Sequence, residues 1–246
     1  MTNKRLGQNF IHDTGFLKGI VEKLDIKLTD TIVEVGTGQG SLTTVLALCA
    51  KQVITYEIDI RLEDILKQKL KDFDNIKCVF QDILTVTQFP PDFILVANIP
   101  YYITTPIIMK FIKMEQCRKI CILIQDDVAK RIVAPVGTKD YGALSVTVQS
   151  MARCRIIKKV PRTLFQPVPN VDSAFVVIEK NGEVPPPNFD GLLKSVFSKR
   201  RKKISNSVNL DALLQCGIDP DLRPEQISVN DFVKLSQYLY KTDKTN

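Results

Sequence analysis

The chain has a single histidine, His12, which rules out a histidine-rich metal site and leaves that residue as a helix-cap neighbour or surface group, not a catalyst. Its six cysteines are scattered and form no C-x-x-C pair, which removes the usual zinc and dithiol frameworks. Cys117 and Cys121 alone make a weak case for zinc, and no metal is expected. With 246 residues the protein is large enough to bury a core without disulfides, so free buried thiols in a reduced, cytoplasmic setting are expected. No apolar stretch approaches the roughly 20 residues of a membrane span, and no signal peptide is read. No internal repeat or low-complexity tract occurs. No lysine or serine follows the glycines at 36–40 at the spacing of a nucleotide-triphosphate cradle.

Hydrophobic residues make up 44% of the sequence, enough for a sizeable core. The formal charge is +7 and unevenly placed. Residues 151–203 hold twelve Lys/Arg against four Asp/Glu, leaving twenty-two against twenty-three elsewhere. All the excess lies in that segment, which predicts a basic face for a polyanion.

Asp13 or Thr14 is placed to cap a first helix running to about Leu24. Strands are then expected at Thr31–Val35, Gln52–Tyr56, Ile76–Phe80, Phe93–Ala97 and Ile120–Ile124. Helices are expected between them at Ser41–Cys49, Ile60–Leu70 (apolar at 62, 65, 66 and 70), about 105–114 and about 126–133. Continuous apolar strands between amphipathic helices indicate a parallel sheet covered on both faces. Residues 143–151 fit helix or strand equally. Cys154–Val160 and Ser173–Glu179 read as two strands closing a sheet edge. Three prolines at 185–187 mark a boundary, after which residues 190–240 read as short helices. The expected division is residues 1–182, an α/β domain, and residues 183–246, a helical domain.

Four of these strands deliver glycine or a polar residue at their carboxyl ends, where open α/β sheets bind ligands. The first runs into Gly36-Thr37-Gly38-Gln39-Gly40, whose glycines let backbone approach a ligand closely. Glu57 ends the second, where an acid is placed to bind ribose hydroxyls. Asp82 ends the third and can accept from an adenine amino group, and Asn98 ends the fourth. An adenosine ligand without phosphates fits this set, and S-adenosylmethionine is one whose methyl is already electrophilic. The fourth strand continues as Asn98-Ile99-Pro100-Tyr101-Tyr102. An amide oxygen of the asparagine and a backbone carbonyl can accept both hydrogens of an exocyclic base amine, favouring the pyramidal form that attacks, while an aromatic face fixes the base. Tyr102 is expected to serve packing.

Taken in order, LGQNF at 6–10, the glycine turn, NIPYY at 98–102, the segment from Phe165 through Pro167, Pro169 and Asp172 to Ser173, KRRKK at 199–203 and RPEQISV at 223–229 resemble one family over nearly the whole sequence. It is the KsgA-type ribosomal RNA small subunit adenine N6,N6-dimethyltransferases. The resemblance implies a Rossmann-like S-adenosylmethionine-dependent methyltransferase domain with a small all-helical C-terminal RNA-binding domain. It implies that Asn9, Ile11, Gly36, Gly38, Glu57, Ile58, Asp82, Ile83 and Asn98 surround the cofactor, with S-adenosylhomocysteine as product and no metal. Asn98 and the carbonyl of Pro100 would hold the base amine, Tyr101 would stack on the base, and Phe165, placed by its prolines in an irregular loop, would close the other face. Arg200, Arg201, Lys202 and Lys203 would meet RNA, distributed around a helix. The implied substrate is a pair of adjacent adenosines in a 3′-terminal hairpin of 16S rRNA, each methylated twice, within a partly assembled 30S particle. A monomer with a part in subunit biogenesis is expected. The rival readings are an Erm-type 23S rRNA methyltransferase, and an assembly or transcription factor in which methylation is incidental.

Overall fold

The computed structural model describes residues 10–245. A two-residue strand β1 (Phe10–Ile11) precedes helix α1 (Thr14–Val21), whose first turn is capped by Asp13 accepting from the amide of Phe16 at 2.9 Å. Then come β2 (Thr31–Val35), α2 (Ser41–Ala47), β3 (Gln52–Glu57), α3 (Glu63–Leu70), β4 (Ile76–Phe80), β5 (Phe93–Asn98), α4 (Thr104–Ile112), β6 (Cys117–Gln125) and α5 (Asp126–Ile132). These are followed by α6 (Ala143–Gln149), β7 (Ala152–Val160), β8 (Phe165–Gln166), β9 (Ser173–Lys180), α7 (Phe189–Ser198), α8 (Leu210–Gln215) and α9 (Val229–Thr245).

Seven strands form one sheet in the order β4-β3-β2-β5-β6-β9-β7. β4 through β6 run parallel, and β9 turns antiparallel against β6. The central apolar strands are buried, and Ile94, Leu95, Val96 and Ala97 of β5 have no exposed surface, whereas the edge strand β4 is only partly covered. Each large aliphatic side chain among them contributes about 1.5–3 kcal/mol on leaving water, so the middle of the sheet anchors whatever its ends display. Leu62, in the 3-10 turn before α3, and Leu66 and Leu70 within it pack under the sheet edge, but Ile65 is exposed. Spacing by four keeps the first three on one face, and Ile65 falls at its rim.

The protein divides into two compact units. One comprises the residues up to Ala129 with Arg155–Glu179, and the other comprises Lys130–Cys154 with Lys180–Asn246. A cut after residue 182 therefore misses one segment: Lys130–Cys154 belongs with the C-terminal helices. The ambiguous stretch at 143–151 is helical, and Tyr141 and Val146 sit in one apolar core with Phe189, Leu193, Val196 and Phe232. Tyr141 also donates from its hydroxyl to the carbonyl of Ile227 at 3.0 Å. The basic segment is divided as well: Arg155, Lys158, Lys159 and Arg162 lie in the first unit and residues 199–203 in the second.

Candidate active site

At the carboxyl ends of β2, β3 and β5 lies a cavity of about 300 Å³. Among its lining residues are Ile11, Gly36, Gly38, Glu57, Ile58, Asp82, Ile83, Asn98, Pro100, Tyr101 and Phe165. These are all the expected cofactor and catalytic positions but one, since Asn9 lies outside the described residues.

The glycine turn owes its composition to two close approaches. Gly36 has φ +82°, and a Cβ there would stand 2.8 Å from the carbonyl oxygen of Asn98. The glycine turn and the end of β5 thus approach each other backbone to backbone. Gly38 has φ +54°, and a Cβ would stand 2.8 Å from the ring of Phe10. Both positions combine a left-handed backbone with lack of room, which glycine alone meets.

Glu57 ends β3 and is 4% exposed. Its Oε2 accepts from the Gly38 amide at 2.8 Å, and its Oε1 from the amides of Ile58 at 3.0 Å and Asp59 at 2.9 Å. Burial raises its pKa, and the three amides oppose the rise. Of about four acceptor directions on a carboxylate, one remains for a ligand hydroxyl. Asp82 follows β4, and its Oδ1 accepts from the Leu84 amide at 2.9 Å, which shapes the 82–85 turn and leaves its other oxygen for a ligand. Lys110, from α4, holds the rest of that turn. Its Nζ donates to the carbonyls of Ile83 at 2.8 Å, Leu84 at 2.9 Å and Val86 at 2.7 Å. Sequence reasoning missed Lys110, because nothing local marks a lysine that reaches back 24 to 27 residues.

Asn98 is the last residue of β5, opposite Leu123 on β6. The carbonyl of Pro100 accepts from the Ile103 amide at 3.2 Å, which closes a 3-10 turn over Tyr101–Ile103 and leaves one lone pair on that oxygen. Tyr101 is half-buried, and its hydroxyl lies 2.8 Å from the Oγ of Ser173. Burial raises the phenol pKa despite the Ser173 hydrogen bond, so the ring carries its proton at neutral pH. Tyr102 departs from expectation: it is 65% exposed and lines the cavity instead of packing. In a 3-10 turn neighbouring side chains point about 120° apart, so burying Tyr101 turns Tyr102 outward. Phe165 departs too. It lies not in an irregular loop but in β8, paired with Ile11 of β1, and it is 4% exposed within the main core cluster. It lines the cavity from a fixed position.

The basic run also differs from a helix face. α7 ends at Ser198, and residues 199–203 form the turns that follow. Arg200 donates to the carbonyl of Lys139 at 2.7 Å and lies 3.6 Å from Glu225, while Lys203 pairs with Asp221 at 2.8 Å. Arg201 and Lys202 are exposed. Cys117 and Cys121 are buried on β6, and burial pushes the Cys121 thiol up to about 12, so it stays protonated.

The residues present fit an adenosine ligand: the glycine turn is a cradle that a Cβ would fill, with a carboxylate at one strand end and an acceptor loop at the next. A family model described as "Ribosomal RNA adenine dimethylase" matches residues 1–241. The protein is 38% identical to "Ribosomal RNA small subunit methyltransferase A" of Lactobacillus johnsonii, covering 96% of this sequence and 90% of that one. It is 37% identical to the protein of the same name from Caldanaerobacter subterraneus, covering 96% and 97%. Among solved structures, it resembles a dimethyladenosine transferase from Plasmodium falciparum with a TM-score of 0.85 and 26% identity, covering 95% of this sequence and 98% of that one. It resembles the 23S rRNA methyltransferase ErmE with a TM-score of 0.76 and 28% identity, covering 94% and 99%. A match that runs to residue 241 takes in both compact units and not the sheet alone, so the chain belongs to the ribosomal RNA adenine dimethylase family.

Proposed function

We propose that this protein transfers methyl groups from S-adenosylmethionine to the N6 amines of two adjacent adenosines in a 3′-terminal hairpin of small-subunit rRNA, giving two dimethyladenosines. One observation carries the reading: Asn98, Pro100 and Tyr101 meet the glycine cradle in a single cavity, with Gly36 held against the Asn98 carbonyl. The cofactor supplies an electrophilic methyl on a sulfonium. Everything else falls to the protein. The Glu57 carboxylate and the Asp82 turn would hold the ribose and adenine ends of the cofactor. The side-chain oxygen of Asn98 and the free lone pair of the Pro100 carbonyl accept the two hydrogens of the target amine, which turns its lone pair toward the methyl. Alignment of amine, methyl and sulfur contributes most of the rate. The target base must leave its stack to reach such a cavity, and Tyr101 and Phe165 wall it on two sides. Stacking on an aromatic contributes about 1–3 kcal/mol per base.

Relatives named for small-subunit rRNA at 37–38% identity favour that substrate over 23S rRNA. The reading places a monomer in the cytoplasm, acting on a partly assembled 30S particle. Among the described residues, no helix is long and apolar enough to cross a membrane. The test is tritiated-methyl transfer to undermethylated 30S particles, with modified bases mapped. Label is expected in two neighbouring adenosines. Asn98→Ala is expected to abolish transfer while 30S binding is retained. Methylation of 23S and not 30S material would overturn the substrate, and undiminished transfer by Asn98→Ala would overturn the role of that amide.

A further inference from the structure

We infer that Ser173 is a positioning residue for methyl transfer, its buried hydroxyl fixing the plane of the Tyr101 ring against the target base. Ser173 is the first residue of β9 and is fully buried. Its backbone is held opposite Gln125 by the antiparallel ladder with β6. The residue before it is held as well: the Asp172 carbonyl accepts from the Asp126 amide at 3.0 Å, and its carboxylate accepts from the Arg162 amide at 2.9 Å. The Ser173 hydroxyl is thus a fixed point, and it lies 2.8 Å from the hydroxyl of a tyrosine 72 residues away.

The other end of that tyrosine is fixed too. Tyr101 opens the 3-10 turn closed by the Ile103 amide on the Pro100 carbonyl. A ring tethered at both its Cα and its hydroxyl cannot tilt freely, whereas phenylalanine in the same place is tethered at one end. The hydrogen bond also ties Tyr101 to the strand that follows the Phe165 segment, so one connected stretch, 162–173, supplies one aromatic wall of the cavity and holds the hydroxyl of the other. A base held between walls of fixed plane presents its amine in a fixed direction, and transfer rates fall steeply with small misplacement.

The inference rests on the reading that Tyr101 stacks on the target base, and the experiment separates the two. Ser173→Ala, Tyr101→Phe, the double variant, Ser173→Thr and Tyr101→Ala are made in the full-length protein. For each, kcat, KM and S-adenosylhomocysteine affinity are measured on undermethylated 30S particles. Ser173→Ala and Tyr101→Phe are each expected to lower kcat about tenfold, the scale of one hydrogen bond lost to misorientation. Cofactor affinity should not change, which a general loss of structure would not spare. The double variant should be no slower than either single one, and Ser173→Thr should recover most of the rate. Multiplying losses in the double variant, or a wild-type rate in Tyr101→Phe, would overturn the tether. Tyr101→Phe retains the rest of the ring's packing and so decides the matter even if Ser173→Ala does not fold. A wild-type rate in Tyr101→Ala would overturn the stacking reading itself, and the tether with it. Loss in Tyr101→Ala with none in Ser173→Ala would overturn the tether alone.

Discussion

Glu34 sits fourth in β2, fully buried in the middle of the sheet and directly opposite Thr55 of β3. Its Oε2 accepts from the Thr43 hydroxyl at 2.6 Å, while its Oε1 has no hydrogen-bond partner among the described residues. Burial pushes its pKa from 4.5 up to about 7, with hydrogen bonds from Thr43 and Thr55 pulling it down and the Glu57 carboxylate pushing it further up. At about 1.4 kcal/mol per pKa unit, that rise corresponds to about 3 kcal/mol. The sign follows from which state holds the proton. The folded protein keeps it longer, so the contribution is fully present below pH 4.5, falls as pH rises toward 7, and is gone above that. Glu57 is shifted in the same direction and adds to the slope. Glu34→Gln removes one titration and nearly preserves shape. Urea denaturation by circular dichroism from pH 4.5 to 8 should show the decline reduced by about 3 kcal/mol, with the variant the more stable form at pH 8. Parallel curves for the two proteins would refute the claim that this carboxyl is neutral in the folded state.

Other perturbations test the surroundings of the cavity. Lys110→Met removes a charged donor from the carbonyls of Ile83, Leu84 and Val86, of which Ile83 keeps the Val86 amide at 3.3 Å. It should weaken S-adenosylhomocysteine binding about tenfold by calorimetry, and unchanged binding would show that the loop holds itself. Gly36→Ala meets a backbone oxygen and Gly38→Ala meets a side-chain ring, each at positive φ. The left-handed backbone alone costs about 1–2 kcal/mol, so both should lower the melting temperature, with Gly36→Ala the more damaging because Phe10 can turn aside and the Asn98 carbonyl cannot. Equal losses would argue against the close approach. Arg201→Ala with Lys202→Ala should lower the slope of log K against log salt for RNA binding by about 0.7 for each phosphate no longer neutralised. Arg200→Ala, which removes an internal fastener, should cost stability with little effect on the slope, and the reverse pattern would move the RNA face elsewhere.

Much of the protein is legible directly from its residues because the physics concerned is local. Unbroken apolar runs identified the parallel strands, since burial on both faces needs no alternation. Glycine at 36 and 38, an acid at 57 and an amide at 98 each stand at a strand end, and strand ends are visible as the points where apolar runs stop. The contacts of Lys110 and Ser173 were invisible for the opposite reason: their partners lie 24 to 72 residues away, and no local window of sequence holds both. The exposure of Tyr102 and the burial of Phe165 were misread because a motif gives residue order, not direction. The 3-10 turn sends one tyrosine inward and the next outward, and a two-residue pairing with Ile11 draws Phe165 into the core.

By itself, then, the sequence determined the sheet, the carboxyl ends of its strands and the residue types gathered there, because hydrophobic burial and glycine's backbone freedom act on neighbours. Only the tertiary structure decided that residues 130–154 join the C-terminal helices, that Arg200 and Lys203 brace their own unit, and that Ser173 holds Tyr101. Those outcomes depend on which distant surfaces close together, and conformational entropy lets many closures compete until side-chain packing selects one.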